Sequence, residues 1–293
     1  MSIRTDLALE SKEIAGNKVN GVRESQKKYD NMTITKIDIV NKHGAETLGK
    51  DIGTYITAEF PTLTDDFRET DERLKIIGDL LNGLLPDDGL VLVVGLGNTD
   101  ITPDALGPKS TASILATRHI SGELARSIGL DNLRPVAVIA PGVLGKTGVE
   151  TGELVFSIAD KLKPSAIIAI DALASRRLER LGCTLQISDT GISPGAGVGN
   201  HRNRIDKSTT GVPVIAVGIP TVVDAATLAV DILGKDSNAK VNINDICPHG
   251  TNMVVTPREI DMLVMRGAKL ISMAINIALQ RDFEISDLLS LVN

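Results

Sequence analysis

Residues 90–109 read LVLVVGLGNTDITPDALGPK. Leu90 to Val94 is apolar at every position, rich in branched residues and too short for a helix, which is the pattern of a strand buried on both faces of a parallel sheet. Gly95 and Gly97 then permit a sharp turn, Asn98 tolerates left-handed backbone, and Pro103 starts a new element. Asp104 arrives just beyond that turn. Ligands of open α/β sheets sit outside the carboxyl ends of the strands, so Asp104 falls where chemistry is done. Ala166 to Ile170 (AIIAI) repeats the pattern and delivers Asp171 at its end. An acid there is costly as core unless it is paired or hydrogen-bonded. Either aspartate alone reads equally well as a helix N-cap; two at the ends of two apolar strands form a constellation.

Outward from these strands the chain alternates. Asp71 to Leu85 sets Leu74, Ile77, Leu80, Leu81 and Leu84 at helical spacing. A helix from about Lys109 to Ser127, a strand at Pro135–Ala140 and a helix at Gly152–Lys163 follow. Leu185 to Ser188 is a short strand, Val212 to Val217 a buried one, and Thr221 to Leu233 a helix. Thr256-Pro257-Arg258-Glu259 combines an N-cap, a first-turn proline and a capping-box glutamate before the last helix. Upstream, Met32–Val40 and Thr54–Phe60 are strands with polar alternate positions, joined through a helical patch at Ala45–Leu48 and forming a small sheet beside the main one. Residues 1 to about 30, with the charged cluster Arg23 to Lys28, are expected to be mobile or loosely attached. The expectation is an α/β fold with a mostly parallel central sheet, helices on both faces, and a small N-terminal β-containing extension.

Hydrophobic residues make up 42% of the 293, but aromatics only 2%, so the core rests on Val, Ile, Leu and Ala. With 31 basic against 37 acidic residues the net charge is −6, a poor footprint for direct nucleic-acid binding. Val212 to Leu233, the longest apolar region, is broken by Gly218, Pro220, Asp224 and Asp231, which argues against a membrane span. No signal-peptide core appears. Cys183 and Cys247 lie far apart and read as reduced thiols in a cytoplasm-like compartment.

Several chemistries fail on their residues. A dinucleotide fingerprint needs a small residue at position 100, where Asp100 would repel a pyrophosphate. His43, His119, His201 and His249 show no zinc-ligand spacing, and no GxSxG supports a serine nucleophile. A carboxylate-rich site could still recruit a divalent metal with one histidine. Acids at neighbouring strand ends, about 4.8 Å apart, can face one water, and two so close share a proton. The ionised one then draws a proton from water while the other donates to the leaving amine. The loop from Asp189 to His201 carries four glycines and a proline; loops that long and irregular are often functional. A non-enzymatic α/β small-ligand binding protein using Ser193 to Gly199 is a further reading.

Six stretches in order, VVGLGNTDITPDALGPK, PGVLGKTGVET, IIAIDALASR, QISDTGISPGAGVGN, GIPTVVDA and MVVTPREID, together with the opening SIRTDLALE, resemble the bacterial spore germination proteases. The resemblance covers nearly the whole chain. It implies an endopeptidase that degrades small acid-soluble spore proteins during germination, with a fold similar to the hydrogenase-maturing proteases. It further implies an inactive zymogen that processes itself, a homotetramer, and a cytoplasmic location in the forespore and spore core, with neither nucleic acid nor membrane as partner. The proposed catalytic pair maps onto Asp104 and Asp171, and the activating cut onto the bond between Asp6 and Leu7. Residues 1–6 then form a very short pro-segment, 7–70 the N-terminal extension and 71–293 the catalytic domain. No cofactor is implied, although in the hydrogenase-maturing relatives the equivalent acids bind a metal with a histidine. A metal-dependent maturation-type protease is therefore the alternative. The implied preference for glutamate before the cut wants a cationic pocket, for which Arg176, Arg177, Arg202 and Arg204 are available beside Ser193 and Gly195. Between Gly234 and Asn252 the chain is short where some relatives carry a long insertion.

Overall fold

The computed structural model describes residues 4–16, 18–64, 71–120, 132–195, 203–233 and 253–292. The apolar run becomes strand β4 (Val91–Gly95), buried throughout. Its side chains alternate, Val91 and Val93 entering one core and Leu92 and Val94 another. Strand β6 (Ala166–Ser175) does the same, Ile168 and Ile170 on one face, Ile167 and Ala169 on the other. Strands apolar at every position need cover on both sides. On one face it comes from helix α3 (Glu72–Asn82), through Leu74, Ile77 and Leu81, and from the long helix α7 (Ile260–Leu279). On the other, Val155 and Ala159 of helix α5 (Thr151–Leu162) close the core. Helix α7 is long and apolar enough to cross a membrane, but 67% of that apolar window is buried inside the protein, as in a core helix.

The sheet runs β1 (Val22–Tyr29), β2 (Met32–Ile39), β3 (Gly53–Glu59), β7 (Thr184–Ser188), β8 (Val214–Asp224), β6, β4, β5 (Val136–Ile139). The stretch from β8 to β5 is parallel, and the rest is antiparallel. Strand β9 (Val254–Val255) pairs antiparallel with the far end of β8. The α/β class read from the sequence is present. The N-terminal strands, however, do not form a separate sheet: β3 pairs with β7 from Tyr55↔Ser188 to Glu59↔Thr184, so they continue the main one. The charged cluster Arg23 to Lys28 forms the edge strand β1, exposed along most of its length, where charge discourages pairing with another chain.

Nor is the N-terminal segment loosely attached. Leu7 and Ala8 are fully buried, and helix α1 (Ala8–Ala15) packs Ala8 and Leu9 against Ile37, Ile39, Leu48 and Tyr55. Three further elements differ from expectation. The helix after Asp104 starts earlier and ends at Thr111, α4 (Leu106–Thr111), and residues 121–127 of the expected helix lie outside the described residues. Ser110 and Thr111 turn their hydroxyls back onto the Leu106 and Gly107 carbonyls, and Asn276 of α7 captures the chain beyond, at Leu115 N and Ser113 O. Strand β8 runs on through Gly218 and Pro220 as far as Asp224, because β6 pairs with it past a register shift at Leu173/Ala174. Asp224 then accepts from Thr227 N, capping helix α6 (Ala225–Leu233). Thr256 does not form the expected capping box. Its hydroxyl donates to Thr221 O, and α7 begins at Ile260.

Helix α1 is fastened by charge as well as by packing. Arg180, itself buried, meets Glu10 at 3.1 Å, Glu13 at 2.6 Å and Glu59 at 3.2 Å. Burial works to raise the Glu13 pKa, but the Arg180 hydrogen bond and charge, with Arg177 and Arg176 behind it, hold it below its ordinary 4.5. A carboxyl depressed in the folded state adds stability above its unfolded pKa and loses it as pH falls through the lower folded value. Urea unfolding of the wild-type protein should therefore show falling stability below about pH 4.5. Arg180→Met, which leaves buried Glu10 without its cation, should cost about 3–5 kcal/mol at neutral pH and flatten that acid limb. An unchanged midpoint would remove the cluster as a fastening.

Candidate active site

Strands β4 and β6 are adjacent and parallel, their last pair being Gly95↔Ile170. Leu96 N then donates to Ile170 O at 2.8 Å, and the two chains part. The β4 chain turns at Gly97, whose φ is +120°; a side chain there would put its first carbon 2.0 Å from the Asp104 carbonyl oxygen. That oxygen accepts from Asn98 N at 3.0 Å, and Asp104 N donates to Ile101 O at 2.8 Å. The loop thus folds back and holds half-buried Asp104 above the end of β4. The β6 chain instead continues straight, so Asp171 stays in the strand, 5% exposed, its Oδ1 accepting from Ala172 N at 2.9 Å. Asp104 and Asp171 line one cavity of about 290 Å³, shared with Gly97, Pro103, Thr221 and Asp6.

A row of residues crosses the sheet at the level of Asp171. Asp171 of β6 pairs with Gly218 of β8, Gly218 with Gln186 of β7, and Gln186 with Thr57 of β3. Gly218 leaves a trough between the Asp171 and Gln186 side chains, some two strand spacings or about 10 Å wide. A first side-chain carbon at 218 would lie 2.6 Å from Asp171 O. A second cavity, about 420 Å³, opens along this trough and is lined by Lys50, Asp171, Gln186, Ser193, Arg204 and Asp6 among others.

The chain's own N-terminal segment lies across both cavities. Asp6 N donates to Ala174 O at 2.8 Å, and Ala174 N donates to Asp6 Oδ2 at 2.8 Å, so the segment extends the edge of β6. Asp6 O accepts from Lys50 Nζ and Gln186 Nε2, each at 3.0 Å. Four residues on, the fully buried Glu10 carboxylate accepts from Arg176 N at 2.6 Å, Arg177 N at 3.1 Å and Arg180 Nη1 at 3.1 Å, and from the Thr5 hydroxyl. The expected picture of a polar, unstructured cleavage segment is reversed. Leu7 is fully buried, and the Asp6–Leu7 bond is held in place within the cleft.

Of the arginines considered for a glutamate pocket, Arg176 and Arg177 are engaged away from the cavities, while Arg204 is ion-paired on the wall of the larger one. Arg176 bonds Asp231 at 2.7 Å, Arg177 contacts Glu13 and Glu179, and Arg204 pairs with Asp51 and Asp206. Arg202 lies outside the described residues, as do His201 and the 196–202 part of the glycine-rich loop. Ser193 lines the larger cavity and Gly195 both. Lys50, Gln186, Glu10 and Arg180 were not singled out by sequence reasoning; each matters through partners far away in the chain. Burial pushes the Lys50 ammonium below its ordinary 10.5, against the pull of Asp6, Glu10 and Asp51. Among the described residues no three His, Cys, Asp or Glu side chains gather as a metal-ligand set, and His201 and His249 lie outside those residues.

An α/β sheet with one carboxyl on the loop after β4 and another within the neighbouring β6, lining one cavity together with Asp6 of the N-terminal segment, has the makings of a hydrolase of peptide bonds. The sequence model of the germination proteases matches residues 3–236, and the chain belongs to the germination protease family. It is 41% identical over 324 residues to the germination protease of Clostridium perfringens strain ATCC 13124, covering 100% of this chain and 99% of that one. Against the germination protease of Priestia megaterium it is 36% identical over 353 residues, covering 97% and 95%. Against that of Bacillus subtilis strain 168 it is 43% identical over 242 residues, covering 78% and 65%. A [NiFe] hydrogenase maturation protease from Thermococcus kodakarensis aligns in structure with a TM-score of 0.37 and 17% identity, covering 67% of this chain and 98% of that one. So distant a likeness transfers nothing to the site. The chain is thus a peptidase of germination with a protein substrate.

The Gly97 contact makes a direct prediction. Gly97→Ala should lose about 1–3 kcal/mol from the backbone conformation alone and should displace the Asp104 loop. Peptidase activity should then fall by more than the loss of folded protein in thermal melts accounts for. Full activity at an unchanged melting temperature would show that this contact does not place Asp104 or that activity does not depend on it.

Proposed function

We propose that the protein is an aspartate-dependent endopeptidase that begins the degradation of small acid-soluble spore proteins at germination. It is made as a zymogen that cuts itself between Asp6 and Leu7, and it acts as a homotetramer in the cytoplasm of the forespore and spore core. The observation that carries the mechanism is Asp6, its backbone N–H and carbonyl both hydrogen-bonded, lining the cavity that Asp104 and Asp171 line. In this reading one carboxylate takes a proton from water, which attacks the carbonyl of the residue before the cut. The other carboxyl protonates the departing amine. Specificity for the spore proteins and tetramer formation rest on the resemblance to the family. The negative net charge suits a protein substrate better than the DNA those proteins accompany.

Asp104→Asn and Asp171→Asn should each fold normally and lose nearly all cleavage of a small acid-soluble spore protein, because an amide neither accepts nor relays the proton. The double variant should be scarcely worse than either single one. Both variants should also keep their full length, while the wild-type chain slowly acquires a Leu7 terminus, faster in mildly acid solution where a dyad needing one proton becomes competent. Substantial activity in either single variant would contradict the pair. Activity lost to a chelator and restored by a divalent ion would point instead to a metal-dependent maturation-type protease, and an inert mixture to a ligand-binding protein.

A further inference from the structure

The carbonyl oxygen of Asp6 is held in an unusual way for a chain terminus. It accepts from an ammonium, Lys50 Nζ, and from a carboxamide, Gln186 Nε2, both at 3.0 Å. Each donor is itself fixed. Gln186 Oε1 accepts from Ala8 N at 2.7 Å, which turns Nε2 toward Asp6. Lys50 Nζ also bonds Thr5 O at 3.0 Å, and Lys50 N bonds Ala45 O, anchoring the residue to the end of helix α2 (Lys42–Leu48). These donors come from the turn after α2 and from β7, whereas Asp104 comes from the loop after β4 and Asp171 from β6. Asp6 thus lines one cavity with Lys50 and Gln186 and another with both acids, and Asp171 is on the wall of each.

We propose that Lys50 and Gln186 are the oxyanion-stabilising pair of this peptidase, acting on the carbonyl of the residue before the cut bond, first in Asp6 and then in substrates. The proposal rests on the reading that Asp104 and Asp171 hydrolyse the Asp6–Leu7 bond. As the oxygen of water bonds to the Asp6 carbonyl carbon, one water proton passes to a carboxylate and the carbonyl oxygen becomes an anion. Donors about 2.7–3.1 Å from that oxygen stabilise it more than they stabilise the neutral carbonyl. Collapse restores the C=O, breaks the C–N bond and takes a proton from the other carboxyl to the Leu7 nitrogen. The products are an Asp6 α-carboxylate and a Leu7 ammonium, the proton of the new carboxylic acid having passed to the amine; one water has been added and the two catalytic acids have exchanged protonation states. Once residues up to Asp6 leave, Lys50 and Gln186 face the trough over Gly218, open to the carbonyl of an incoming protein. Both donors meet the backbone oxygen of Asp6, and Lys50 meets that of Thr5 as well, so they act on the peptide carbonyl.

The test compares wild type, Lys50→Met, Lys50→Arg and Gln186→Glu in two assays. One is the rate of self-shortening to a Leu7 terminus, and the other is kinetics on a peptide carrying the sequence TDLALE. Lys50→Met should lower kcat about 100- to 1000-fold with KM changed less than about threefold, and Lys50→Arg should recover part of the rate. Gln186→Glu keeps the acceptor for Ala8 N but replaces the donor. It should be slow at neutral pH and regain rate as pH falls and the new carboxyl becomes a donor, a response that simple loss of structure would not give. If Lys50→Met does not fold, by circular dichroism, the isosteric Gln186→Glu decides. A wild-type chain that leaves the Asp6–Leu7 bond and the peptide uncut fails the parent reading and the pair with it. A wild-type chain that cuts, alongside variants that cut equally fast or lose only affinity, overturns the oxyanion pair alone.

Discussion

Parallel pairing of β4 with β6 is the constraint on which the rest of the molecule depends. The pairing ends at Gly95↔Ile170, and the Leu96 N to Ile170 O bond closes it. Beyond that level one chain turns at Gly97 and the other runs straight on to Ser175. The difference places one carboxyl on a folded-back loop and the other in a strand, both over the same cavity. It also leaves the extended part of β6 with a partner to find, and the N-terminal segment supplies it through the reciprocal bonds between Asp6 and Ala174.

The same segment brings charges that a short terminal stretch rarely buries. Glu10 has no exposed surface, and its oxygens are met by two backbone amides and the Arg180 guanidinium. A buried carboxylate is tolerable only with such partners. On the proposed reading, the contacts that fasten this segment are also those that present its peptide bond. Stability and self-processing would then be two consequences of one set of hydrogen bonds, and removal of residues before Leu7 would leave α1 and the apolar contacts of Ala8 and Leu9 in place.

The parts legible in the sequence are those set by local pattern. AIIAI and LVLVV announce doubly buried strands because every position is apolar, and the glycines and proline after Val94 announce the turn that carries Asp104. What was illegible depends on partners distant in the chain. Asp6, Glu10, Lys12 and Glu13 make the first residues look solvated, yet Arg176, Arg177 and Arg180 neutralise much of that charge from far along the chain. Gly218 and Pro220 look like strand breakers, but β6 carries β8 past both, with the irregularity taken up beside Pro220. The local capping signal at Thr256 lost to a tertiary bond with Thr221 O. Lys50 follows a short helix like any surface lysine, and Gln186 sits in a strand like any alternate polar residue. Only the β3-β7-β8-β6 order brings them to the same peptide.

In the proposed function the N-terminal segment lies in its own catalytic cleft as a bound substrate. That reading is tested most directly by following intact mass with time in the purified full-length chain across a wide dilution series. The account predicts that a single species beginning at Leu7 accumulates with one first-order rate constant, the same at every protein concentration. A rate that rises in proportion to concentration, or a first cut at any other bond, would contradict it.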